Sequence, residues 1–216
     1  MAHHGCNLIL RVLGNQIIGD RTQSMPHLIL IAGPNGAGKS TSAPGILHGA
    51  LAVSQFVNAD TIALGLAAFA PENAAIQAGR VMLARLRQLA ESRENFAFET
   101  TLASRTFAPW IAELKESGYQ FHLIFMTLPS PDLAIERVAE RVRMGGHDVP
   151  TATIRRRYDS GIRNFFKLYQ PLADGWRVYD NTDITPRLIA NGSREKVECV
   201  TDTAVWNRLK EFNDER

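Results

Sequence analysis

An α/β fold, built on a five-stranded parallel sheet with helices on both faces, is predicted by three observations. Between Leu28 and Tyr179 short β-rich runs alternate with longer helical patterns, the signature of a parallel sheet with crossover helices. The first of these runs, "LILIA", enters a glycine-rich turn, "GPNGAGKST", and a helical pattern follows it. After the fifth strand the alternation stops, and a hairpin-like segment and one amphipathic stretch close the chain.

In chain order, the strands are expected at Leu28 to Ala32, Gln55 to Asn58, Phe96 to Glu99, His122 to Thr127 and Arg177 to Tyr179. Helices are expected from about Gly38, from Thr61, and over Glu72 to Ser92, Thr106 to Ser117, Asp132 to Arg143 and Thr151 to Tyr169. Pro44 and Gly45 fall early in the first helix, where a missing N–H and a weak helix former predict a kink or a tightened turn. In the last one, Ile154, Tyr158, Ile162 and Phe165 form the core stripe. The segment "RLIANGSREKVECV" sets Asn191 and Gly192 between two β-like runs, which predicts a hairpin with a type I′ turn at that pair. Asp202 then caps a final helix whose Val205, Leu209 and Phe212 dock on the core.

A chain of 216 residues, 45% hydrophobic and 21% charged, suits one globular domain with a sizeable core. Residues 1–24 read as an extension and 25–216 as the single domain, with Met25 a candidate start. No apolar run approaches the roughly 20 residues of a membrane span, which points to a protein without membrane partners. The 24 basic and 22 acidic residues nearly cancel, so charge gives nucleic acid no general hold on the chain. Cys6 and Cys199 lie far apart in no ligand spacing, as suits a reducing cytoplasm.

Gly33, Gly38, Lys39 and Ser40 fill G-x-x-x-x-G-K-[ST] between a strand and a helix, the context that makes this spacing a P-loop and the fold that of a P-loop NTPase. Such a loop turns successive backbone N–H groups inward, with a helix N-terminus behind them, and so holds phosphate. The expected nucleotide-binding set is Gly33, Pro34, Asn35, Gly36, Ala37, Gly38, Lys39, Ser40 and Thr41. Lys39 is to reach the β- and γ-phosphates of ATP and Ser40 to ligate Mg²⁺. A transporter ATPase shares this loop but needs an LSGGQ signature and an apolar run closing in Asp-Glu, both missing here.

Open α/β sheets bind ligands at the carboxyl ends of their strands. At one such end stands Asp60 in "FVNADTI", placed to accept the proton of an acceptor hydroxyl or to cap the helix from Thr61. At another stands Glu99 in "FAFETT", beside the P-loop strand in the usual order, able to orient the hydration shell of Mg²⁺ or bind an acceptor, or else to pair with an arginine. Thr100, Thr101 and Ser104 follow as donors or as a helix cap. Arg137 and Arg141 share a helix face, and the glycine turn after Arg143 joins that helix to one opened by Arg155, Arg156 and Arg157. Two helices so joined make a lid whose arginines can close on a transferring phosphoryl group; a solvated basic face, with Arg155 paired to Asp159, is the plain alternative. His147 in the lid loop is a candidate phosphate or acceptor contact, and Asn181 in "DNTD" fits a turn better than a base contact.

On "GPNGAGKST", "NAD", "FET" and the "IERVAERV" helix with its glycine-containing lid, the chain resembles the zeta toxin family of P-loop kinases from about His27 to Asn181. The resemblance implies a kinase that phosphorylates a hydroxyl of a nucleotide-activated sugar such as UDP-N-acetylglucosamine, with an antitoxin protein as a partner. It implies Asp60 as base, Glu99 and Thr101 as acceptor-binding residues and Arg137 as a phosphate-binding arginine. The family carries an arginine shortly before a proline in the lid, where this chain has His147 before Pro150. One of Arg155 to Arg157 is expected to substitute, with Arg156 assigned to the acceptor beside Arg141 and His147. Lys39, Asp60 and Arg137 are thus the expected catalytic residues. A nucleotide-dependent binding module and a polynucleotide 5′-kinase are the competing readings.

Overall fold

The computed structural model describes residues 25–47, 53–68 and 70–214; the expected extension, residues 1–24, lies outside them. The elements are β1 (His27–Ala32), α1 (Lys39–Ile46), β2 (Gln55–Val57), α2 (Ala59–Leu66), α3 (Ala75–Glu91) after a 3₁₀ turn at Pro71–Ala74, β3 (Phe96–Thr100), α4 (Phe107–Glu116), β4 (Gln120–Thr127), α5 (Pro131–Arg143), α6 (Thr151–Asn164) running into a π-helical turn at Phe165–Tyr169, β5 (Gly175–Asp180), β6 (Arg187–Ser193), β7 (Lys196–Val200) and α7 (Thr203–Asp214). Pro44 does lie inside α1, and that helix stops at Ile46.

The sheet runs β2-β3-β1-β4-β5-β6-β7. Its first five strands are parallel, as expected, while β6 and β7 extend the same sheet antiparallel. The alternation of side chains sorts the core into two layers. Leu28, Leu30, Phe96, Phe98, Phe121, Leu123 and Phe125 face one way and pack with Met82 and Leu86 of α3, Ile111 of α4, Ile154 and Ile162 of α6 and Leu209 of α7. Ile29, Ile31, Ala97 and Ile124 face the other way, with Ala43 of α1 and Leu47. Asp202 caps α7 as expected, accepting from the Val205 amide at 3.0 Å.

The hairpin forms, but not at Asn191 and Gly192. Both lie inside β6, and the turn is at Arg194 and Glu195, with Arg194 at φ 49°. The reason is a cross-strand contact: Gly192 pairs with Trp176, and a Cβ on it would stand 2.0 Å from the Lys196 carbonyl oxygen and 2.6 Å from the Trp176 ring. Trp176 stacks on Trp206 of α7 at 5.5 Å, and its indole N–H donates to the Arg194 carbonyl. The glycine is needed for that indole rather than for a turn.

Candidate active site

The chain leaves β1 at Gly33, whose φ of 143° and whose approach to Met126 both demand glycine: a Cβ would sit 2.1 Å from the Met126 carbonyl oxygen. The loop then folds on itself, the Ala37 amide donating to Pro34 O at 3.2 Å. Gly38 is the N-cap of α1 and offers no side chain to its first-turn amides, which leaves them to an anion. Asn181, buried after β5, donates from Nδ2 to Ala37 O at 2.7 Å and so braces the loop from behind; it is not a turn residue in the sense expected.

Lys39 is 6% exposed, donates to Pro34 O at 2.9 Å and stands 3.6 Å from Glu99 Oε1. Burial pushes its pKa down, and the carboxylates of Glu99 and Asp60 draw it back up. The pairing of β1 with β3, Ile31 opposite Glu99, is what carries Glu99 to the loop. Glu99 Oε2 accepts from Ser40 Oγ at 2.7 Å and from Asn58 Nδ2 at 2.8 Å, so its partners are Lys39, Ser40 and Asn58 rather than an arginine. Two hard oxygen donors, Ser40 Oγ and Glu99 Oε2, thereby meet beside Lys39, a pair of the kind that could hold Mg²⁺.

Asn58 takes the capping role that was open to Asp60. Its Oδ1 accepts from the amides of Asp60 and Thr61 at 2.7 and 3.2 Å, so Asn58 caps α2, which begins at Ala59. The Asp60 carboxylate is left for the cavity. That cavity, about 500 Å³, is lined by Asn35, Gly36, Gly38, Lys39, Ser40 and Thr41 of the loop, by Asp60, Glu99 and Thr101, and by Arg137, Arg141 and Arg157. Gly33, Pro34 and Ala37 form the back of the loop and do not line it. A second cavity of about 420 Å³ shares Ser40, Asp60, Arg141 and Arg157 with the first and adds Ala63, Leu64, His147 and Val149.

The arginines divide by what holds them. Arg137 donates from Nη1 to Asn181 O at 2.7 Å and from Nη2 to Thr182 O at 2.6 Å, fixing α5 to the end of β5 while its side chain borders the first cavity. Arg141 donates to His147 O at 2.6 Å, holding the lid loop over both cavities. Arg155 pairs with Asp132 at 2.5 Å, not with Asp159. Arg156 is exposed and borders neither cavity; Arg157 borders both, donating to Asn35 Oδ1 at 3.4 Å. With Ile154 and Tyr158 buried, the helical period turns position 157 toward the cleft and 156 toward solvent. Burial lowers the Arg157 pKa and the charge of Asp60 opposes that shift. Asn35, expected in the loop, lines both cavities, and of the three consecutive arginines it is Arg157 rather than Arg156 that does so; the residue missed in the sequence is Asn58, although its signal was present, an Asn just before a helix start.

The AAA domain family matches this chain over residues 28–160. An uncharacterized protein of Haemophilus influenzae is 28% identical over 130 residues, which cover 60% of this chain and 91% of that one. Among solved structures, the AvrRxo1-ORF1:AvrRxo1-ORF2 complex with sulphate ions gives a TM-score of 0.66 at 15% identity, covering 86% of this chain and 63% of that one. The present chain thus spans less than two thirds of that structure's length. The same complex has been solved with ATP, with a TM-score of 0.64 at 14% identity and the same coverage of 86% and 63%. The PezAT chromosomal toxin-antitoxin system of Streptococcus pneumoniae gives 0.58 at 18% identity, covering 97% of this chain and 87% of that one. These likenesses establish a P-loop, kinase-like fold and agree with the zeta toxin resemblance carried by the motifs. With residues 28–160 spanning β1, the P-loop, both strand-end carboxylates and most of the lid, the chain belongs to the AAA domain family.

Proposed function

We propose that the protein is an ATP-dependent phosphotransferase that moves the γ-phosphoryl group to a hydroxyl of a small-molecule acceptor. The observation that carries this reading is the position of Asp60: its carboxylate, released from capping by Asn58, borders both the P-loop cavity and the adjoining one. Two adjoining cavities that share a carboxylate in their walls suit a donor in one and an acceptor in the other. The acceptor oxygen attacks the γ-phosphorus, its proton passes to Asp60, and the bond from that phosphorus to the bridging oxygen breaks to release ADP. The loop amides and Lys39 hold the triphosphate, and Arg157 and Arg141 face the charge that spreads over the transferring group. Ser40 and Glu99 would hold and orient a bound Mg²⁺, which would supply charge neutralisation to the phosphates.

The small apolar wall of Ala63, Leu64 and Val149 beside His147, Arg141 and Arg157 suits an acceptor with both a ring and anionic groups, and a UDP-activated amino sugar is the proposed class. Thr101 and Glu99 are its proposed hydroxyl contacts. The likeness to a toxin-antitoxin structure supports an antitoxin protein as partner, and such an acceptor implies work in the cytoplasm. No helix among the described residues is long and apolar enough to cross a membrane.

Incubation with labelled ATP, Mg²⁺ and a pool of small metabolites, UDP-N-acetylglucosamine among them, tests the proposal by mass analysis of what gains a phosphate. A phosphorylated acceptor is expected, lost with Lys39→Ala and reduced about 10²- to 10⁴-fold with Asp60→Asn. ATP bound and slowly hydrolysed at a rate no acceptor changes would make the chain a nucleotide-dependent switch instead.

A further inference from the structure

A third concavity, of about 320 Å³, lies away from the P-loop and is lined by Ala103, Arg105, Ser160, Arg163, Asn164 and Lys167. None of its residues borders either cavity of the active site. Ser160, Arg163, Asn164 and Lys167 are spaced i, i+3, i+4, i+7, so one helical stripe crossing from α6 into the π-helical turn builds one wall. The other wall is the loop after β3. There Leu102 is buried at φ 57°, a conformation that L residues with a branched side chain rarely adopt. Two contacts hold it: its amide donates to Thr100 Oγ1 at 3.2 Å, and its carbonyl accepts from Asn164 Nδ2 at 2.6 Å. Asn164 is only 8% exposed, so the polar floor of the concavity is fixed.

The charge here is unlike the rest of the fold. Three cations line the concavity with no carboxylate among them, in a chain whose whole formal charge is +2. Arg137, Arg155 and Arg187 spend their guanidinium groups on carbonyl or carboxylate oxygens, and Arg141 gives one donor to the His147 carbonyl. Arg105, Arg163 and Lys167 make no ion pair among the described residues. Three like charges brought together around a rigid amide repel one another unless an anion lies between them. Guanidinium forks joined by a hydroxyl and an amide match the oxygens of a phosphate group, each arginine able to donate two parallel N–H groups.

We propose that this concavity is a second oxyanion site, which takes a phosphate or diphosphate group and is separate from the nucleotide and acceptor cavities. The group arrives as a free ion or as the phosphate of a larger ligand, and the two sources share the same recognition. The site depends on no catalytic step and stands whether or not the protein transfers phosphate.

Calorimetric titration of inorganic pyrophosphate into the full chain, preloaded with ADP and Mg²⁺ so that the P-loop is filled, tests the site. Saturable binding is expected that weakens by about tenfold or more in Arg163→Gln/Lys167→Gln, weakens with added salt, and persists in Arg157→Gln. Arg105→Gln, on the opposite wall, gives an independent variant with the same expected loss, and ADP affinity checks that each variant is folded. Adding UMP as competitor distinguishes the sources: displacement of pyrophosphate assigns the site to a ligand-borne phosphate, and no displacement assigns it to the free ion. Pyrophosphate binding that is untouched by both basic-pocket variants, or that is lost with Arg157→Gln instead, overturns the proposal.

Discussion

Asn58 donates to Glu99 Oε2 at 2.8 Å while its own Oδ1 accepts from the backbone amides of Asp60 and Thr61. One amide side chain thus caps a helix and aims a carboxylate at the P-loop. These two jobs can be separated by substitution. Asn58→Ala removes both and should lower stability by about 1 kcal/mol, the usual worth of an N-cap. Asn58→Asp keeps the cap but sets a second negative charge against Glu99. It should unfold near the wild-type temperature yet bind nucleotide with a changed dependence on Mg²⁺. Thermal unfolding and Mg²⁺ titrations of nucleotide affinity check the pair; equal Mg²⁺ behaviour in Asn58→Asp and wild type would remove the aiming role.

Neighbouring arginines give the sharpest kinetic contrast. Arg157 borders both cavities and Arg156 borders neither. Where such an arginine stabilises phosphoryl transfer it contributes about 10³ to 10⁵ in rate. Arg157→Gln should therefore lower kcat by about 10²-fold or more, while Arg156→Gln stays within about twofold of wild type. Steady-state rates of ADP release with a competent acceptor measure both, and a large loss from Arg156→Gln would reverse the helix face assigned to the cleft.

Glycines sort by what surrounds them. At Gly192 an added methyl meets the Lys196 carbonyl and the Trp176 ring, so Gly192→Ala should destabilise by about 1 to 3 kcal/mol as the indole is pushed off Trp206. Gly79 lies inside α3 with nothing within 4 Å of a built Cβ. Gly79→Ala should stabilise by about 1 kcal/mol. Urea unfolding midpoints read both signs, and the tryptophan fluorescence of the folded state should change for Gly192→Ala alone.

Near the amino-terminal ends of the central strands β1 and β4, His27 Nδ1 and His122 Nε2 lie 3.0 Å apart. Burial, and then the charge of His27, push the His122 pKa down from 6.5 to about 4, although Asp174 pulls it up. Burial also lowers that of His27. Below pH 6.5 the unfolded chain therefore takes up a proton that the folded chain refuses. The contribution is complete above pH 6.5 and is lost as pH falls toward 4, by up to about 3 kcal/mol. Unfolding by urea at about pH 7.5 and about pH 5 should show this loss in the wild type and a smaller one in His122→Gln; parallel curves would exclude the pair as its source.

What could be read from the residues follows from how local each signal is. The P-loop, the five parallel strands and the strand-end positions of Asp60 and Glu99 rest on contiguous patterns, and each was legible. Gly192 was misread because Asn-Gly is a local turn signal, whereas the indole that needs the glycine lies on another strand. Arg157 was passed over for Arg156 because three consecutive arginines offer no periodicity of their own, and only the burial of Ile154 and Tyr158 sets their phase. Asn181 looked like a turn residue because its partner, Ala37 O, is 144 positions away.

That last contact has a mechanical consequence. Ala37 is tied to Asn181, and Asn181 and Thr182 are tied to Arg137, so the phosphate loop, the tip of β5 and α5 form one clamped block. A hinge cannot open at the root of α5 without breaking both Arg137 bonds. Swinging of the cover over the cleft is thereby confined to the stretch from Met144 to Pro150, where Gly145 sits at φ 86° and Arg141 latches the His147 carbonyl. Arg157 rides on a helix anchored in the core by Ile154, Tyr158 and Ile162, so the groups that grip the nucleotide share one rigid frame, and adjustment to a reaction partner falls to the short loop joining α5 to α6.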